Sequence, residues 1–138
     1  MILQAVSPQK AVLMWEHIAP HLDKAVRLSP EVISMDDVYE GVASGDYLVW
    51  LAIDEEEKQI VAALTTRVAE YPQAKAMVVD FVGGKRMKEW AGLAVSEVRK
   101  QAALNDCKWI EGYGRRAWER WVKNYGAKQA YVAYKMEL

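Results

Sequence analysis

Tyr47-Leu48-Val49-Trp50-Leu51-Ala52-Ile53 is a nearly continuous apolar run. A strand with one wet face alternates apolar and polar residues, so a run without alternation marks a strand covered on both faces. That requires one sheet with helices on its two sides. The flanking sequence supplies the sheet. Asp54-Glu55-Glu56-Glu57-Lys58 is a polar hairpin tip, and residues 60–68 return antiparallel. Tyr71-Pro72-Gln73 turns the chain again, into a third strand from Ala76 to Val82.

The helices are legible from their starts and stops. Residues 2–6 form a short first strand, and Ser7-Pro8 starts a helix, with Ser as N-cap and Pro at the first helical position. Ala11, Met14, Trp15, Ile18, Leu22, Ala25 and Val26 recur at helical spacing, which predicts a helix over 8–28 that Pro20 kinks or divides. Ser34 begins another helix, with Asp37 in a capping-box position, Met35, Val38 and Val42 as its apolar stripe, and Gly45 at its end. After Gly83-Gly84, the spacing of Met87, Trp90, Ala94, Val98 and Ala102 predicts a long helix to about Asn105. Trp109 to Tyr113 is a short strand and Arg116 to Tyr125 a helix, with Trp118, Trp121, Val122 and Tyr125 at i, i+3, i+4 and i+7. Gly126 stands where a left-handed cap belongs, and Ala130 to Leu138 reads as a last strand. The expectation is an α/β chain with a single mixed sheet and flanking helices, in the order β-α-α-β-β-β-α-β-α-β, one domain over 1–138.

Composition bounds the rest. The chain has 138 residues, 52% hydrophobic and 27% charged, with six Trp and seven Tyr, enough to build a packed core. No apolar run approaches the ~18 residues of a membrane helix. The N-terminus lacks the basic region of a signal peptide, and the lone Cys107 excludes an internal disulfide, so a cytoplasmic location is expected. Charge is unevenly spread: residues 1–83 hold six Lys/Arg against thirteen Asp/Glu, residues 84–138 twelve against six, within a net −1. A basic half can attract an anion or an acidic partner, or its charges can simply be solvated. His17 and His21 at i, i+4 would suit two ligands of a metal, but Pro20 distorts their spacing and no third ligand is evident. No Walker loop, serine triad or zinc motif is present.

The order of elements resembles the GNAT superfamily of acyl-CoA-dependent N-acyltransferases along almost the whole chain. The two-helix excursion after the first strand, the long hairpin, and the final Trp121-Val122-Lys123-Asn124-Tyr125-Gly126-Ala127 segment carry the likeness. It implies that the junction Val78 to Arg86 lies where the superfamily binds the pyrophosphate of acetyl-CoA. Val82, Gly83, Gly84, Lys85 and Arg86 are then the candidate cofactor residues. The physical basis is general: a helix start has unpaired N–H groups and a positive dipole end, and glycines admit an anion closely. The pattern is degenerate. Asp80 takes the place of the usual Gln or Arg, and Lys85 the second small position.

The same resemblance implies a carboxylate base near the central strand, for which Asp80 and Glu111 are the candidates. The leaving thiolate's usual Tyr acid would stand four residues before Gly126, where this chain has Val122. The segment Gly112-Tyr113-Gly114-Arg115-Arg116-Ala117-Trp118-Glu119-Arg120-Trp121, through its Gly-Arg-Arg-x-Trp stretch, is similar to small GNAT-like proteins of tailed bacteriophages. Arg115, Arg116 and Arg120 there are candidate partner-binding residues. Two functions follow as expectations. The first is a phage-type, non-catalytic, virion-associated or assembly protein with a protein partner, located in the host cytoplasm or the virion. The alternative is an acetyl-CoA-dependent N-acyltransferase acting on a small amine or a peptide N-terminus. Nucleic-acid binding through residues 85–128 ranks third.

Overall fold

The computed structural model describes residues 1–114 and 118–138. Strand β1 (Ile2–Val6) leads through helices α1 (Pro8–Leu13), α2 (Trp15–Arg27) and α3 (Met35–Ser44) into β2 (Leu48–Asp54), β3 (Gln59–Glu70) and β4 (Lys75–Gly84). Helix α4 (Met87–Leu104), β5 (Cys107–Gly112) and the short α5 (Glu119–Val122) complete the order. The five strands lie in sequence order, antiparallel from β1 to β4 and parallel between β4 and β5.

The apolar run at 47–53 sits in the middle of this sheet because both faces are covered. On one face Leu51, Ala63 and Phe81 pack under α1–α3 through Ile18, Leu22, Val38 and Val42. On the other Trp50, Ala62, Leu64 and Met77 pack under α4 through Trp90, Ala94 and Val98. Buried Trp50 places its Nε1–H on Thr66 Oγ1 at 2.9 Å, so the indole carries no unpaired polar group into the core. The capping box at Ser34 and Asp37 is formed, and Gly45 closes α3 at φ +88°.

The structure departs from the sequence expectations at three places. The helical stretch over 8–28 breaks at Met14, and Pro20 lies within α2. Pro20 is on the exposed side, where water can satisfy the carbonyl its missing N–H leaves free. The break at Met14 lets α1 lie on α3 while α2 lies on β3 and β4. Next, β4 runs on through Gly83 and Gly84, which pair with Ala63 and Ala62 of β3. Lastly, residues 127–138 form no strand ladder, so the described sheet ends at β5. Its residue types favour a strand, but a strand needs a partner, and pairing is not a local property. The segment expected to be helical over 116–125 is described from residue 118, and there it holds α5 and a 3-10 turn at Lys123–Tyr125, closed by Gly126 at φ +87°.

Strand β4 is irregular where it faces β3: Leu64 pairs with Val82 but Thr66 with Val79, so β4 carries an extra residue around Asp80 and Phe81. The bulge frees the Phe81 N–H from the ladder, and buried Thr65 accepts it through Oγ1 at 3.3 Å. Thr65→Val keeps the shape and removes the acceptor. It is expected to lower stability by about 2 kcal/mol, read as a shift of the urea midpoint at unchanged slope.

Candidate functional site

The pairing of β4 with β5 stops at Val79 and Gly112, whereas β4 continues to Gly84. Among the described residues β4 therefore has a strand neighbour on its β3 side only from Asp80 onward, and its other edge is open. The Asp80 side chain is fully covered (0% exposed) although the residue as a whole is only half-buried, so what it exposes is backbone at this opening.

Under that opening, on the α1–α3 face, lies a small ionic cluster. Arg67 of β3 donates from Nε to Asp80 Oδ2 at 2.7 Å and from Nη2 to Oδ1 at 3.3 Å. Glu31, an exposed residue in the loop between α2 and α3, lies near enough for the Asp80 charge to act on its carboxyl. Burial first, and the neighbouring Asp80 charge second, push the Glu31 carboxyl above its ordinary range. Tyr47 stands edge-on to Phe81 at 5.9 Å, and burial raises its hydroxyl pKa, aided by Asp80 and Glu31. Sequence reasoning found Asp80 and missed Glu31, Tyr47 and Arg67. Nothing local marks them, because they come from a loop, a strand start and the neighbouring strand.

Glu111 occupies the same face, in register with Val78, which in turn pairs with Arg67. It has its own partners. Tyr71 donates its hydroxyl to Glu111 Oε1 at 2.7 Å and Trp109 its Nε1–H to the same oxygen at 3.1 Å, with the two rings stacked at 6.0 Å. The hydrogen bond to Glu111 raises the Tyr71 pKa, and the Tyr131 hydroxyl beside Tyr113 raises that of Tyr113. The two candidate carboxylates thus share a face without sharing a ligand set.

The junction between β4 and α4 is short. Only Lys85 and Arg86 separate the two elements, and the Lys85 N–H is already bonded to the Val61 carbonyl at 2.8 Å. The glycines serve packing. A Cβ on Gly83 would run into the His21 carbonyl oxygen of α2, and one on Gly84, at φ +134°, into Ala62 and the Val61 carbonyl. Arg86 takes the left-handed conformation at φ +59° and turns its guanidinium onto two carboxylates, Asp54 (Nη1 to Oδ2, 2.7 Å) and Glu89. Those contacts hold the Asp54 and Glu89 carboxyls below their usual range. Asp54 also accepts the Glu56 and Glu57 N–H groups, tying the β2–β3 hairpin tip to the start of α4.

These residues do not fit a pyrophosphate. The glycines are filled by the protein's own backbone, one amide is spent in the ladder, and Glu89 puts negative charge into the first turn of α4. Val82 and Lys85 flank the junction without forming a cradle. Of the basic candidates, Arg120 is exposed on α5, whereas Arg115 and Arg116 lie outside the described residues. The 3-10 turn that follows α5 is held to α4 where Arg99 donates to the Tyr125 carbonyl at 2.9 Å. Among the described residues no cluster of three His, Cys, Asp or Glu is arranged to hold a metal, and His17 pairs with Glu16 at 3.4 Å. No described helix is long and apolar enough to cross a membrane.

No family model matches the sequence, and no curated protein does. Solved structures do resemble it. A probable acetyltransferase superposes with a TM-score of 0.76 at 9% identity, over 100% of this chain and 98% of the other. The ribosomal-protein-alanine N-acetyltransferase of Brucella melitensis biovar Abortus 2308 gives 0.69 at 14% identity, over the whole of both chains. The aminoglycoside acetyltransferase meta-AAC0020, from an uncultured soil metagenomic sample, gives 0.69 at 9% identity over 99% and 95%. The chain has the GNAT acetyltransferase fold. Identities this low establish the fold alone.

Two outcomes test the site's energetics. Gly83→Ala forces α2 away from β4 and is expected to cost about 3 kcal/mol in urea unfolding. Glu31 has a raised folded pKa, so its contribution to stability is present below the unfolded value of about 4.3 and is lost as pH rises through the folded pKa. Glu31→Gln, which mimics the protonated form, is therefore expected to be more stable than the parent at pH 7 and equal to it at pH 3.

Proposed function

We propose that this is a GNAT-fold protein that does not use acyl-CoA and works by binding another protein, as a phage-type virion-associated or assembly protein would. The observation that carries the proposal is the intramolecular closure of the β4–α4 junction by Asp54, Arg86 and Glu89. A pyrophosphate arriving there meets two carboxylates and a guanidinium already neutralised by them. Val122, exposed and without a proton to give, at the position where the GNAT resemblance expects an acid, supports the same reading. Arg120 is the described member of the basic partner-binding set, which includes Arg115 and Arg116.

The test is thermal unfolding with and without acetyl-CoA. A native-state ligand at a hundred times its Kd adds about 2.7 kcal/mol, so binding is readily visible. The parent protein is expected to show no shift at millimolar acetyl-CoA, and a saturable shift would overturn the proposal. For the finer role, purified phage particles are expected to contain this chain at fixed stoichiometry; its absence from them would sink the virion assignment.

A second reading is favoured by the open β4 edge beside the Asp80–Glu31 pair: an N-acyltransferase with acetyl-CoA as acyl donor and a small amine or a peptide N-terminus as acceptor. In it Glu31, whose carboxyl lies above its ordinary range, takes the proton from the acceptor's ammonium; the neutral amine then attacks the thioester carbonyl, and the departing CoA thiolate takes up the proton the amine loses. The aminoglycoside and ribosomal-protein substrates named for its structural relatives are acceptors of this kind. Amine-dependent thiol release from acetyl-CoA, lost in Asp80→Asn, would establish this reading over the first.

A further inference from the structure

Trp109 and Glu111 stand two positions apart on β5 and so share the face turned away from α4, beside Ala76 and Val78 of β4. Tyr71 opens the turn between β3 and β4, with its N–H on the Ala74 carbonyl at 2.9 Å, and lays its ring nearly parallel to the Trp109 indole, at 12°. Tyr113 follows just past β5. It is near enough to Glu111 for that charge to act on its hydroxyl, which also lies against the hydroxyl of Tyr131. One carboxylate is thus surrounded by four aromatic side chains from three segments of the chain.

None of the four is sunk in the core. Tyr71 is 43% exposed, Trp109 47%, Tyr113 40% and Tyr131 59%, whereas Trp50 and Trp90 are buried. Neighbouring aromatic surface left open in this way marks a contact site more than scattered exposure does.

The polar groups already spent decide what the cluster can hold. Glu111 Oε1 accepts from both Tyr71 and Trp109, which uses its two lone pairs. The Tyr113 hydroxyl is engaged with Tyr131, and the Arg67 guanidinium on the Tyr71 side is engaged with Asp80. What remains for a ligand is ring faces beside a negative charge. A guanidinium gains most from two free carboxylate oxygens, and Oε1 is taken. A quaternary ammonium asks for no acceptor at all, because aromatic faces and a nearby charge hold it.

We propose that Tyr71, Trp109, Tyr113 and Tyr131 around Glu111 form a binding site for a small alkylated ammonium ion, one whose charge is spread over methyl groups. Such a ligand has no N–H proton to lose and cannot accept an acyl group. The site therefore goes beyond both functions proposed above and stands whether or not acyl-CoA binds.

The test is calorimetric titration of the full chain with choline and with its uncharged isostere, in which a tert-butyl group replaces the trimethylammonium. Choline is expected to bind saturably at millimolar concentration, roughly tenfold tighter than the isostere, and its N-methyl proton resonance to move upfield under the ring currents. Glu111→Gln keeps an acceptor for Tyr71 and Trp109 but removes the charge, and is expected to weaken choline roughly tenfold while leaving the isostere unchanged. Trp109→Leu, at a half-exposed position, is expected to lose the upfield shift with an unchanged circular dichroism spectrum. Absence of saturable binding, or equal affinity for choline and its isostere, would overturn the proposal. So would tighter binding of methylguanidinium than of choline, or a full upfield shift that survives Trp109→Leu.

Discussion

The approach of helix α2 to strand β4 sets the arrangement of everything on the α1–α3 face. At Gly83 the His21 carbonyl lies where a side chain would begin, so helix and strand meet backbone to backbone. With α2 seated that low, Ile18 and Leu22 reach Phe81 and Leu51 in the sheet. The loop after α2 is then carried across β4 towards Asp80, which is how Glu31 comes near a carboxylate 49 positions further along the chain. A larger residue at Gly83 would lift the helix and take the ionic cluster apart with it.

The same glycines look different from the two levels of description. As sequence, Gly83-Gly84-Lys85-Arg86 before a helix is an anion-binding pattern, because small residues and positive charge precede a helix start. In the folded chain the space the glycines leave is occupied by α2 and β3, and the positive charge is occupied by Asp54 and Glu89. Asp54 comes from the far end of the β2–β3 hairpin, so its meeting with Arg86 depends on the hairpin register across the whole sheet. The structure thus has the fold of the acetyltransferases it resembles, while the electrostatics of the β4–α4 junction are those of a closed internal ion network.

Much of the architecture was legible because it is written in local patterns. The unbroken apolar run of β2, the Ser34–Asp37 box, the Gly45 and Gly126 caps and the apolar spacing of α4 are each decided by neighbouring residues, and each appears where those residues place it. Pro20 misleads because a proline's cost depends on whether the orphaned carbonyl faces water, which is a matter of packing. Residues 131–136 illustrate the opposite limit: their tyrosine and valine content shows what the segment can form, and only a partner strand determines whether it forms it.

The sequence by itself determined the class of fold, the order of its elements and the position of the strand–helix junction, since these follow from periodicities of two and 3.6 residues and from capping chemistry within a few positions. Only the tertiary structure decided what that junction contains and what Asp80 faces. Those depend on which side chains from distant segments converge, Glu31 and Arg67 on Asp80 and Asp54 on Arg86. Charge on a side chain can be counted along the chain. Whether that charge is available to a ligand depends on the carboxylate that folding brings beside it.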